Sequence, residues 1–179
     1  MTRHFHAAPW STSLKAVSLL ATIMLAAVSY SAYRVVPARA GFTHNFGLGV
    51  AMIPIVILVG CASFAVRGYS VDLTRLSVQR LVGSTTMSLT GLSRAWFDPD
   101  ACKGSMRVVG NGGLFSFSGW FSSKRLGRYR LFATDFTRAV VLSLPSGNVV
   151  ISPAAPQAFV AHLQHIFPGL NVQPEEPGV

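Results

Sequence analysis

Acidic residues are scarce in this chain. There are six, at Asp72, Asp98, Asp100, Asp135, Glu175 and Glu176, and none precedes Asp72. Carboxylate pairs for acid–base or glycosidic chemistry, and oxygen-rich calcium loops, therefore have almost no raw material. Asp98 and Asp100 lie close together, but the loop around them lacks further oxygen ligands. Cysteine is equally sparse. Cys61 sits in an apolar run and Cys102 in a polar loop, which excludes a disulfide framework and fits a reducing compartment. No G-x-S-x-G elbow occurs. The glycines at Gly110, Gly112 and Gly113 lack both the Lys-Ser/Thr ending of a phosphate loop and the spacing of a dinucleotide fingerprint. His162 and His165 have no cysteine or carboxylate cluster to complete a metal shell. These absences predict a protein without catalytic residues, metal or cofactor.

Apolar and basic residues are abundant instead. Half the chain is hydrophobic, 12% is charged, mean hydropathy is +0.45 and the formal charge is +9. A basic excess suits phosphate oxygens of lipid or nucleic acid. Two uncharged runs, Ala16–Tyr33 and Phe46–Val66, decide for lipid and against nucleic acid. A helix needs about 20 residues to cross a hydrocarbon core, so the runs predict membrane helices over about residues 14–33 and 46–66. Small residues on both (Ala26, Ala27 and Ser29; Gly47, Gly49 and Gly60) permit close backbone approach, and Pro54 predicts a kink.

Arg34 and Arg39 occupy the connection between the runs, whereas Arg3, Lys15, Arg67, Arg75 and Arg80 flank them outside. The positive-inside rule then places both termini in the cytosol of a bacterial cell, with Arg34–Asn45 as an outer loop of an inner-membrane protein. Ala38-Arg39-Ala40 before Gly41 resembles a signal-peptidase site, but a stretch containing Arg34 separates it from the apolar core. Leu58-Val59-Gly60-Cys61 resembles a lipoprotein box, yet lies deep in the chain with its arginine on the wrong side.

Beyond Gly68 the pattern changes to short β-type runs: 69–73, 76–82, 85–89, 93–97, 106–109, 128–133, 139–144 and 149–152. Thr74-Arg75 reads as a tight link, Gly83-Ser84 as a turn, residues 85–89 and 93–97 as a strand pair, and 98–104 as a loop. A helix follows from about Pro156 to Phe167, with Phe159, Leu163, Ile166 and Phe167 on one face, and Pro168-Gly169 stops it. The expected class is mainly β with α: two N-terminal transmembrane helices (anchor, 1–67), an antiparallel sandwich or barrel capped by a C-terminal helix (68–168), and a tail (169–179).

Gly110-Asn111-Gly112-Gly113-Leu114-Phe115, Gly127-Arg128-Tyr129, Ala133-Thr134-Asp135 and Ile151-Ser152-Pro153 ahead of Phe159, in this order of strands and helix, resemble a bacterial pleckstrin-homology-like domain. The branch with membrane helices ahead of the domain is the most similar. The resemblance spans about residues 69–167. It implies two packed antiparallel sheets capped by a helix, implies no enzymatic activity and carries over no functional residues. Phosphoinositide-binding relatives use a basic loop between their first two strands. Here that link is only Thr74-Arg75, so such a pocket is not expected.

Gly110–Gly113 reads as hairpin chemistry, since Asn-Gly favours tight turns. Phe115 and Phe117 share one strand face and are expected in the core, while Trp120 and Phe121, being adjacent, cannot both enter it. An exposed aromatic beside Lys124, Arg125, Arg128 and Arg130 would suit a membrane interface or a partner groove. Trp120, Phe121, Lys124, Arg125, Arg128 and Arg130 are therefore the candidate contact residues. The expected function is a membrane-anchored interaction or scaffolding module whose partners are the bilayer and other membrane proteins or further copies of the chain. The alternative is binding of anionic headgroups by the basic 124–130 hairpin.

Overall fold

The computed structural model of the chain describes residues 2–37 and 41–173. The Ala38-Arg39-Ala40 site and residues 174–179 lie outside them. Among the described residues three α-helices and ten strands form, in the order β1 (Arg3–His6), α1 (Thr12–Arg34), α2 (Phe42–Ser63), β2 (Val66–Val71), β3 (Arg75–Arg80), β4 (Ser84–Ser88), β5 (Arg94–Phe97), β6 (Met106–Gly112), β7 (Phe117–Ser123), β8 (Gly127–Ala133), β9 (Val140–Leu144), β10 (Gly147–Ile151) and α3 (Pro156–Ile166). The expected pair of apolar helices, β body and closing helix are all present.

The strand β1 was not legible in the sequence, where residues 1–67 read as anchor alone. It pairs antiparallel with β2, from Arg3 opposite Val71 to His6 opposite Gly68. Both helices are thus inserted between two neighbouring, hydrogen-bonded strands. A four-residue strand carries little pattern of its own, and its partner lies beyond the whole anchor. Residues after β1 then stitch the two sheets together: the Ala8 amide donates to Ser152 O, Thr134 Oγ1 donates to Ala8 O, and the Ser11 amide donates to Thr134 O.

One sheet runs β1-β2-β3-β4 and the other β5-β9-β10-β8-β7-β6. Residues 85–89 and 93–97, read as a pair from sequence, separate between them: β4 pairs with β3 and β5 with β9. The chain turns the corner at Gly91, whose φ of +77° is left-handed. The second sheet is also not wholly antiparallel. After β8 a 3₁₀ turn at Phe136–Arg138 carries the chain past one strand position to β9, and the β9–β10 hairpin folds back into the gap, so β10 runs parallel to β8.

The main core lies between the sheets and under α3. It gathers Tyr69, Val71, Leu76 and Val78 from the first sheet, Phe132, Val140, Leu142 and Ile151 from the second, and Phe159 and Leu163 from α3. Phe5 of β1 closes it, edge-on to Phe159 at 4.9 Å. On the opposite face of the second sheet, Trp96, Phe121, Tyr129 and Leu131 are covered by the loop carrying Ala101 and Cys102. Asp98 organises that loop by accepting from the Asp100 amide and pairing with Arg125.

The helices are long and apolar enough to cross a membrane, and only 11% of either apolar window is buried. A core helix of a soluble domain would be covered by its neighbours. Here Leu19, Leu20, Ile23, Met24, Val56 and Val59 all face outward. Ser11 caps α1 by accepting from the Leu14 amide, and Ser29 of α1 donates to the Ala51 carbonyl of α2. At the other end of α2 the β3–β4 turn completes the helix: the Leu81 and Val82 amides donate to Ala65 O and Ser63 O.

Candidate functional site: a crevice between helix and sheet

The second sheet has six strands against four in the first, so β6 and β7 overhang. The overhang lies against the helices. The β6–β7 turn docks on α1 through Ser18, whose Oγ donates to Gly113 O at 3.1 Å and accepts from the Phe115 amide at 3.0 Å. Asn111 shapes the turn by accepting from the Gly113 and Leu114 amides. The glycine run is thus hairpin chemistry. Its first part belongs to β6, and the turn proper falls at residues 113–116. Phe115 does not share a strand face with Phe117 as expected. It sits in the turn at φ 66° and packs against Trp10, while Phe117 packs against Phe136.

Between this overhang and the end of α2 is an open crevice of about 520 Å³. Ile57, Gly60, Cys61 and Phe64 form its helical wall, and Trp120, Arg130 and Phe132 its sheet wall, with Arg80 at the end of β3. Gly110 and Gly119 lie opposite each other across β6 and β7 at φ +127° and +139°, and a Cβ at Gly119 would meet Val109 O at 2.2 Å. The wall therefore stays flat there.

Two guanidiniums define the electrostatics. Arg80 lies over Phe64 (5.1 Å) and Phe132 (5.6 Å), and Arg130 lies over Phe132 (5.2 Å) and Trp120 (5.8 Å). Burial first, and Arg130 second, lower the pKa of Arg80 from its ordinary value. The Arg80 Nε is buried without a hydrogen-bond partner. Among the described residues no carboxylate pairs with either arginine. The arrangement can attract an anion and hold an apolar chain, and it contains no nucleophile–base pair.

The residues singled out from sequence divide into three groups. Trp120 and Arg130 are direct cross-strand neighbours and enter the crevice. Phe121 points the other way and is 6% exposed, so it belongs to the second core and is not available for contact. Lys124, Arg125 and Arg128 lie on or beside the β7–β8 turn, where Arg125 is neutralised by Asp98 and Arg128 stacks on Trp120 at 4.8 Å. Arg80 was missed as a site residue. In the sequence it is only a flanking positive charge, and its place beside Arg130 depends on how the sheets pack.

A second cavity of about 290 Å³ is lined by Cys102, Arg107, Phe117 and Tyr129. Burial pushes the Cys102 thiol up to about 11, so little thiolate is present near neutrality. His162 packs against Phe5 and Arg3, burial and then Arg3 lower its pKa, and His165 is exposed. Among the described residues no group of three or more His, Cys, Asp or Glu could hold a metal ion.

Searches of curated proteins and of solved structures give no match. A family model described as "Bacterial PH domain" matches residues 67–166, the part of the chain that contains β3 to β10, most of β2 and α3. With more than half its length so matched, and two sheets closed by a C-terminal helix, the chain belongs to the bacterial PH domain family.

Proposed function

We propose that this protein is a non-enzymatic, membrane-anchored PH module that binds another membrane protein, or a second copy of itself, at the cytoplasmic face of a bacterial inner membrane. Its helices cross the bilayer as a hairpin, and its β body works as an interaction or scaffolding unit beside them. Confinement to the membrane plane raises the effective concentration of any partner in the same bilayer.

The observation that carries this reading is the edge of the second sheet at β6, which among the described residues pairs on one side only, with β7. The β6 edge strand has Met106, Val108 and Val109 exposed at 76%, 49% and 63%. An apolar edge strand offers unpaired backbone groups for an added strand and apolar side chains for selecting it. The opposite edge is treated differently: β5 is covered by the C-terminal segment, with the Ala95 amide donating to Asn171 O.

A photo-crosslinking residue at Val108 of the full-length protein in native membranes tests the reading, with Thr86 on the polar edge strand β4 as the control. Adducts from position 108 and not from 86 are expected, and their mass distinguishes a homodimer from a different partner. Adducts from neither position, or equally from both, would overturn the assignment.

A further inference from the structure

We infer that the crevice between α2 and the β6–β7 overhang is a binding site for one anionic phospholipid, its phosphate on Arg80 and Arg130 and its acyl chain along Ile57, Gly60 and Cys61 of α2 and Phe64 just beyond it. The inference rests on the helices lying in a bilayer, and it is independent of the β6 edge.

Charge is the first reason. Two guanidiniums share the ring of Phe132, and neither has a carboxylate partner among the described residues. Bringing like charges together on an apolar ring is unfavourable unless an anion joins them. Arginine is also the side chain best fitted to phosphate, through its planar fork of donors. The buried Arg80 Nε is a donor that still lacks an acceptor.

Shape and position are the second reason. The volume of about 520 Å³ lies in the range of small-molecule sites, and the helical wall is apolar. That wall is the last part of a helix long enough to span a membrane, next to the exposed Leu81 and Val82 that adjoin its C-terminus. A lipid in the adjoining leaflet therefore brings its headgroup and its chain to the two walls that match them. Arg80 stands at the end of β3 remote from the Asp72–Thr74 link that joins β2 to β3.

Cys61 supplies the readout, because it lines the crevice and the remaining cysteine, Cys102, is buried. The full-length protein is reconstituted into nanodiscs of phosphatidylcholine, with or without phosphatidylglycerol, and the rate of Cys61 alkylation by N-ethylmaleimide is followed. Phosphatidylglycerol is expected to protect Cys61 in the wild type. Each of Arg80→Gln and Arg130→Gln should raise the phosphatidylglycerol needed for half-protection about tenfold, the scale of one charge-assisted contact. The double variant should lose protection, while Lys103→Gln/Lys124→Gln, which removes the same charge from exposed positions, should keep it.

A second variant guards against misfolding of the arginine substitutions. A Cβ at Gly60 meets no atom within 4 Å, so Gly60→Phe fills the crevice, and native mass spectrometry should show the co-purified phosphatidylglycerol lost. Equal alkylation in both bilayers, protection that persists in the arginine double variant, or lipid retained by Gly60→Phe would each overturn the site. Protection by inorganic phosphate in phosphatidylcholine alone would overturn the lipid assignment in favour of a free anion. If alkaline carbonate releases the protein from membranes, the spanning reading fails and this inference with it, which separates that failure from an empty crevice in an integral protein.

Discussion

Tyr69 shows how a single side chain joins the sandwich. It is fully buried on β2 of the first sheet, yet its hydroxyl donates to Phe132 O on β8 at 2.7 Å and accepts from the Ser152 amide at 3.1 Å. Burial raises its pKa to about 12, against the lowering effect of its Ser152 hydrogen bonds. Folded Tyr69 thus holds its proton more tightly than the unfolded chain, as does Cys102 at about 11. Stability from a raised pKa is fully present below the unfolded value and is lost as pH rises through the folded one. The protein in detergent should therefore melt at constant temperature to about pH 9 and at falling temperature above it, with Tyr69 contributing about 2 to 3 kcal/mol to the loss. Tyr69→Phe should cost about 1 to 3 kcal/mol at pH 7, because Phe132 O and the Ser152 amide lose their partner, and should flatten the alkaline decline. A melting temperature indifferent to pH from 7 to 11 in the wild type would refute this. Residue identity was only partly informative at this scale. Trp120 and Arg130 stood out as an aromatic beside basic residues, but Arg80 joins them through packing between distant strands, which no local pattern records.

Among the elements, β1 has the largest consequence for how the chain is put together. Because it pairs with β2, the helical hairpin enters and leaves the β body through adjacent strands, with the Ala7 amide still donating to Arg67 O beyond the ladder. The helices then occupy the place of a loop, and a loop can be replaced. Residues 2–8 joined to 66–173 by a short Asn-Gly turn should give a soluble domain with one cooperative melt. Residues 66–173 alone lose Phe5 from the core and expose the β2 edge, and should be less stable by about 2 kcal/mol, the scale of one large apolar contact. Equal stability of the two chains in thermal melts would show that β1 is dispensable. The long apolar helices, the hairpins and α3 were legible because each writes its own periodicity or turn residues into the sequence. The strand β1, the parting of β4 from β5 and the parallel β8–β10 pair were not, because each is decided by a partner far along the chain.

At the scale of the whole molecule, the pairing of β1 with β2 restricts how the chain can meet a membrane. Strands joined by hydrogen bonds lie on one side of a bilayer, so the helices between them must cross it an even number of times or not at all. Their outward-facing leucines, isoleucines and valines cannot be left in water over such an area without a strong drive to cover them, which favours crossing. The positive-inside rule then predicts the side. Arg3, Lys15, Arg67, Arg75 and Arg80 accompany the β body, whereas the hairpin connection holds Arg34 and Arg39. Topology reporters placed ahead of Met1 and after Val179 should therefore both report the cytosol, and a cysteine introduced at Phe42, which is 83% exposed at the start of α2, should react with an impermeant thiol reagent from the outer side. The two termini serve as controls for each other, since β1 ties them to one compartment whatever the charge does. Reporters on opposite sides would contradict the β1–β2 pairing itself, while both reporters outside would leave the pairing intact and show that the arginine bias does not orient this hairpin.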